Sequence, residues 1–253
     1  MAISRRILGG WTPPLLLPLR TMLKLATKFH PEESMFAMAC EAGFQFAELW
    51  TDAAVLADWQ AVAARARRFP LEYVLHFPNR KDLGDDSLQQ AVALHRALGC
   101  RTMVIHQPMH DALAPRLKQL APDISLAIEN HKLPPDDLRA WARQDAHLTL
   151  DVEHVWKFTL RDPPLERLLD EVRTVLDLAG DKLRHVHLPG YWPGIGEHRP
   201  MYAAREMVYP LLDLLAERQF EGFIVSEVGI EYQTPQDLRM DVLLFDLWRA
   251  RGR

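Results

Sequence analysis

The stretch DVEH, residues 151–154, places three ionisable side chains in four positions at the end of the alternating run HLTL. Carboxylates and imidazoles so grouped can ligate a divalent cation or move a proton. In a straight strand Asp151 and His154 would point to opposite sides, so they share a site only if the chain bends after Asp151. Asp151 is therefore expected to end a strand and His154 to lie in the loop that follows. Taken alone, the segment is also explained by a solvated loop in which Asp151 caps a helix and His154 is incidental, and Glu153 is expected to face water in either reading. The pattern recurs, however: other apolar runs close on Glu48, His76, His106, Glu129, His187 and Glu227.

The elements that must position these residues follow from periodicity. Strand-like runs occupy 22–28, 44–50, 71–78, 101–108, 124–130, 147–154, 183–190 and 223–229. Between them lie longer stretches with apolar residues three and four apart, such as DDSLQQAVALHRALGC and PLERLLDEVRTVLDLAG, the spacing of amphipathic helices. Eight βα units without a linker or composition shift predict a single α/β domain, a (β/α)₈ barrel over residues 22–253. A doubly wound open sheet is the structural alternative, but its Gly-rich signature is missing, since the lone GIG at 194–196 follows a proline-rich loop. In a barrel the chemistry belongs at the C-terminal ends of the strands. Alternation puts Ser125, Ala127 and Glu129 inside and Met103 and Ile105 outside, with His106 inside. Seven inward strand ends are thus ionisable.

Composition sets the outer limits. A chain of 253 residues, 48% hydrophobic and 25% charged, can bury a full core. Its net charge of −4 gives no general basic footprint for nucleic acid. Cys40 and Cys100 are too few for a disulfide framework, which suggests a reducing, cytoplasmic setting. Residues 1–21 resemble a charged and apolar leader, yet Pro13, Pro14 and Pro18 interrupt the apolar run and no small-residue cleavage site follows. They are read as an N-terminal extension, with Met22 as an alternative start. No apolar run is long enough to span a membrane, and homo-oligomerisation is left open.

Seven acids and imidazoles converging on one barrel mouth would repel one another and lose hydration unless something positive sat among them. A divalent metal resolves that conflict. Mixed carboxylate and imidazole donors suit Mn²⁺, Zn²⁺, Co²⁺ or Mg²⁺.

The segments AGFQFAELW, IEN, DVEH, HVHLPG and EGFIVSEVG together resemble the xylose isomerase-like barrels, which include sugar isomerases, ketose 3-epimerases and endonuclease IV. The resemblance covers residues 22–253. In the epimerase branch it implies one metal held by Glu129, Asp151, His187 and Glu227, with His154 beside the substrate or a further metal. Endonuclease IV also uses histidines at the third and fourth strands, matching His76 and His106. It holds a further metal through an Asp-x-His pair after the seventh strand; here Glu197 and His198 are adjacent, a departure from that pattern.

The implied activity is a metal-dependent isomerase or epimerase of carbohydrate metabolism acting on a small keto-sugar or polyol. Glu129 and Glu227 would remove and return a proton through an enediolate. Glu48, His76, His106, His154 and His198 are candidates for binding substrate or a second metal. Lys132 and Arg199 could bind distal hydroxyls or an acidic group. Trp50, Trp156 and Trp192 follow strand ends and either wall the pocket or pack on loops. The alternatives are a metal-dependent phosphodiesterase acting at abasic sites, against which the negative charge and short loops argue, and a non-catalytic metal- and ligand-binding barrel.

Overall fold

The computed structural model describes residues 23–251. The expected N-terminal extension and the alternative start at Met22 lie outside the described residues. Eight strands close a parallel barrel in sequence order, β1 (Lys24–Phe29), β2 (Phe46–Trp50), β3 (Glu72–His76), β4 (Met103–His106), β5 (Leu126–Glu129), β6 (His147–Asp151), β7 (Leu183–His187) and β8 (Phe223–Ser226), with β8 pairing back onto β1. The chain is one (β/α)₈ barrel, as its periodicity predicts. Each strand lies within its sequence-predicted run, apart from the extra residue Phe29 at the end of β1.

Alternation explains the layers. Outward residues such as Leu49, Leu75, Met103, Ile105 and Leu126 are buried under the helices on one side of the barrel. Ile128, Leu148, Leu150, Val186 and Ile224 do the same on the other. Apolar burial at roughly 25 cal/mol per Å² makes this outer layer the main stabilising one. The inward positions are thereby left free for other chemistry.

Two local devices shape the ends of the barrel. After β7 the chain leaves as a loop and returns, tied by an antiparallel bridge between Gly190 and Arg199. A Cβ on Gly190 would stand 2.0 Å from the Pro200 carbonyl oxygen, so only glycine allows this return. At the opposite end, the β6–β7 register shifts between Leu148 and Thr149: Leu148 pairs with Leu183, but Thr149 pairs with His185. Arg184 is the extra residue of this bulge.

Candidate functional site

Every strand delivers one ionisable side chain to the C-terminal mouth. From β2 to β8 these are Glu48, His76, His106, Glu129, Asp151, His187 and, just beyond β8, Glu227. Sequence reading overlooked the eighth, Lys28 on β1. Its Nζ lies 2.6 Å from Glu227 Oε1 and 3.4 Å from Glu48 Oε1. The parity rule that found the other seven applies to Lys28 without change, and Lys28 is the in-register partner of Glu48.

Glu129 and His187 stand at the centre. Glu129 Oε2 lies 3.0 Å from His76 Nε2 and 3.2 Å from His106 Nε2. Its Oε1 is 3.5 Å from His187 Nδ1 and 4.0 Å from His154 Nδ1. The His187 ring spans two further acids, with Nε2 3.1 Å from Glu48 Oε2 and Nδ1 2.8 Å from Glu227 Oε2. Asp151 Oδ2 lies 3.5 Å from His154 Nδ1.

The DVEH segment combines the two readings its sequence allowed. Asp151 ends β6 and caps the short helix Val152–His154, accepting a hydrogen bond from the His154 amide, and yet it is buried in the mouth. His154 therefore sits on a helical turn and not in a loop, because the cap starts the helix at once. Glu153 is buried, contrary to the expectation of solvation. The returning β7 loop covers it, and its Oε2 accepts from the His198 amide at 2.9 Å.

Asn130, within the IEN motif, fixes the β5–β6 edge. Its side chain accepts from the Asp151 amide at 2.7 Å and donates to the Asp151 carbonyl at 3.0 Å. His131 stacks on His106 with ring centroids 5.0 Å apart and meets His154 edge-on. Sequence reasoning missed both as site residues. The signal for Asn130 was in the quoted motif, whereas His131 follows the strand and has no parity to place it.

The loop candidates are less central. Lys132 Nζ lies over the Phe158 ring and the Arg199 guanidinium over Tyr232. Trp156 is buried, donates to the Pro163 carbonyl and packs edge-on against Trp192, so its role is packing. Trp50 and Trp192 remain partly exposed. His198 and Glu197 join Glu153 in a separate group on the rim.

The electrostatics follow from burial and crowding. Burial pushes the Glu129 carboxyl up, but the imidazoles of His106 and His187 outweigh it and hold it well below the usual range. Glu227 is likewise driven well down, by Lys28 and His187 against burial. Glu48 falls to about 2, as His187 and Lys28 overcome its burial. Burial opposes charge on His187 too, yet Glu48, Glu227 and Glu129 raise it well above the ordinary imidazole value. Asp151 is the exception: burial raises it, His154 opposes this, and Glu227 and Glu129 add to the rise. Among the described residues, four carboxylates, Glu48, Glu129, Asp151 and Glu227, face the ammonium of Lys28 and the His187 imidazole.

That imbalance bears on whether a metal fits. Asp151 Oδ2, His187 Nδ1 and Glu227 Oε2 are all buried without a well-directed hydrogen bond, although His187 Nδ1 and Glu227 Oε2 stand 2.8 Å apart. The same three residues bring ligand atoms within 4.8 Å of one another. Buried polar atoms with poorly directed contacts are costly, and a divalent cation among these donors would satisfy them. Two further groups in the mouth bring ligand atoms as close, Glu129 with Asp151 and His154, and Glu129 with His76 and His106. The donor set fits a divalent ion.

No family model and no curated protein matches the chain. Solved structures do. A D-tagatose 3-epimerase-like protein superposes with a TM-score of 0.65 at 14% identity, covering 89% of this chain and 96% of that one. A D-allulose 3-epimerase from Methylomonas sp., in complex with D-allulose, gives 0.56 at 16% identity, with 90% and 97% covered. An L-ribulose 3-epimerase gives 0.52 at 14% identity, with 91% and 92% covered. At these identities the likeness is one of fold, the closed (β/α)₈ barrel.

Proposed function

We propose that this chain is a divalent-metal-dependent isomerase or epimerase of a keto-sugar or polyol. The observation that carries the reading is the convergence of buried ligand atoms from Asp151, His187 and Glu227, beside Glu129. These four residues would hold Mn²⁺, Zn²⁺, Co²⁺ or Mg²⁺. Bound there, a divalent ion supplies positive charge against the negative charge that develops on a substrate oxygen.

The chain's own groups handle the proton. Glu129 and Glu227 approach the same His187 nitrogen from different strands, at 3.5 and 2.8 Å, so one carboxylate can take a proton from carbon and the other return it. Removing a proton next to a carbonyl gives the enediolate of the sugar. Lys28 holds Glu227 by one oxygen and keeps the other turned to the His187 side of the mouth. The ketose names of the solved neighbours, tagatose, allulose and ribulose, support a keto-sugar substrate.

Turnover of a ketose panel in D₂O tests the mechanism. A carboxylate exchanges its proton with solvent, so product should carry deuterium at the reacting carbon. Glu129→Gln and Glu227→Gln at saturating metal should each lose turnover by about a thousandfold. Product free of solvent deuterium, or near-normal turnover by both variants, sinks the two-glutamate reading.

A second reading has one observation in its favour. His76, His106 and Glu129 form a further group able to hold a metal, as a phosphodiesterase acting at abasic sites would use. The net charge of −4 opposes binding to a phosphate backbone. Efficient metal-dependent incision of abasic duplex DNA at physiological salt would make the nuclease the better reading, whereas metal retention without any turnover would favour a binding barrel.

A further inference from the structure

The N-terminal end of the barrel holds a hollow of about 770 Å³, within the size range of small-molecule sites. Its wall includes His185 of β7, which is buried with neither ring nitrogen hydrogen-bonded. A buried imidazole left without partners loses the water bonds it had when unfolded, so a polar occupant at this wall is favoured. Around the opening stand Lys24, Arg101 and Arg184. No carboxylate among the described residues pairs with any of them: Lys24 lies over the Phe46 and Phe223 rings, and Arg184 reaches only His147. Arg218 is also present but is committed to Asp177, while Asp181 and Glu221 are the acidic residues of the rim.

The backbone is built to hold this arrangement. Arg184 occupies the β6–β7 bulge, which turns a residue out of the ladder at the rim. A Cβ on Gly222 would stand 2.0 Å from the Arg184 carbonyl oxygen, so the bulge requires glycine at the start of β8. Ser125, on the same wall, is bonded to His147 at 2.7 Å and adds a hydroxyl. An adjoining hollow shares Ser125, His147, Asp181 and Arg184, so the space extends beyond what a bare anion needs.

We propose that this end of the barrel binds the phosphate group of a small phosphorylated molecule, at a site separate from the metal-binding mouth. Three cations without carboxylate partners match a doubly charged anion, and the buried imidazole and the hydroxyl offer further polar contacts. The length of the hollow leaves room for the organic remainder. Such a molecule is an effector of the mouth and not its substrate, since the two sites lie at opposite ends of the barrel.

Calorimetric titration of the full chain at constant ionic strength tests this, with inorganic phosphate and glycerol 3-phosphate as probes and glycerol as the uncharged control. Both phosphates should bind saturably and glycerol should not. Arg184→Gln and Lys24→Gln lie at the opening and should each weaken binding about tenfold, as loss of a charged hydrogen bond does. The imidazole ¹⁵N resonances of His185 should move on saturation, and Asp151→Ala in the mouth should leave binding unchanged. Absence of saturable binding, equal affinity in the Arg184→Gln/Lys24→Gln double variant, or loss of binding in Asp151→Ala would overturn the proposal.

Discussion

At the C-terminal end of the barrel all eight strands point an ionisable group inward, whereas at the N-terminal end rings pack among the inward side chains. There the Phe46 and Phe223 rings meet with centroids 5.1 Å apart, the His185 ring stacks on Phe223 at 5.3 Å, and Lys24 lies over both phenyl rings. The floor can stabilise itself by packing and cation–π contact. The mouth cannot do so, because its carboxylates outnumber its fixed positive charge. One barrel thus separates a floor of rings and basic side chains from a mouth crowded with carboxylates. In such sites stability is given up where function is gained.

Asp151→Ala breaks the contrast most directly. Removing one donor from the mouth should weaken binding of Mn²⁺ or Zn²⁺ by about a hundredfold or more, read by calorimetry. Without metal, the relief of one buried like charge offsets the lost cap on Val152–His154, so stability to urea should change by less than about 2 kcal/mol. Equal metal affinity in the variant and the parent would show that the mouth is not the metal site.

Lys28→Met tests the opposite sign at the same end. It strips Glu227 and Glu48 of their cation and leaves buried charge uncompensated, which should lower metal-free stability by about 3 to 5 kcal/mol. Urea unfolding in the presence of a chelator measures it. A loss below about 1 kcal/mol, the worth of a surface pair, would mean that water already screens Lys28.

On the floor, Gly222→Ala should act by sterics alone. The added methyl meets the Arg184 carbonyl, and the strain should lower stability by about 1 to 3 kcal/mol while metal affinity in the mouth stays unchanged. Coupled loss of metal binding would show that the two ends are not independent.

Behind β8, Asp241 links helix Pro235–Ala250 to the strand by accepting from Ser226 Oγ and the Tyr202 amide. Burial raises its carboxyl to about 7, against these hydrogen bonds. The unfolded value is about 3.9, so the native chain holds the proton between the two values. Its contribution is complete below about pH 4 and is lost as pH rises through about 7. Asp241→Asn should flatten this slope and add on the order of 1 to 2 kcal/mol at about pH 8, seen by urea unfolding at several pH values. An unchanged slope would assign the pH dependence to the mouth.

Several features were open to reading from sequence because they are local. Alternation fixed which of Ser125, Ala127 and Glu129 face inward, and the same rule would have placed Lys28 had it been applied to the first strand. The burial of Glu153 was not legible, since it depends on a loop 45 residues away folding back over it. The floor hollow was equally hidden: a bulge at Arg184 shifts register without leaving any change in the hydrophobic pattern.

By itself the sequence determined the number of βα units, the facing of each strand residue and the set of acids and imidazoles at the strand ends, because backbone geometry repeats every two or 3.6 residues whatever lies around it. Tertiary structure alone decided which of those groups meet. Lys28 and Glu227 are 199 positions apart and touch only because β8 closes onto β1. Barrel closure also brings Glu129, from the middle of the chain, within reach of His187, and Gly190 lets the β7 loop return over Glu153. Charge balance is a property of such non-local contacts, set by distance and burial, and no local pattern in the chain encodes it.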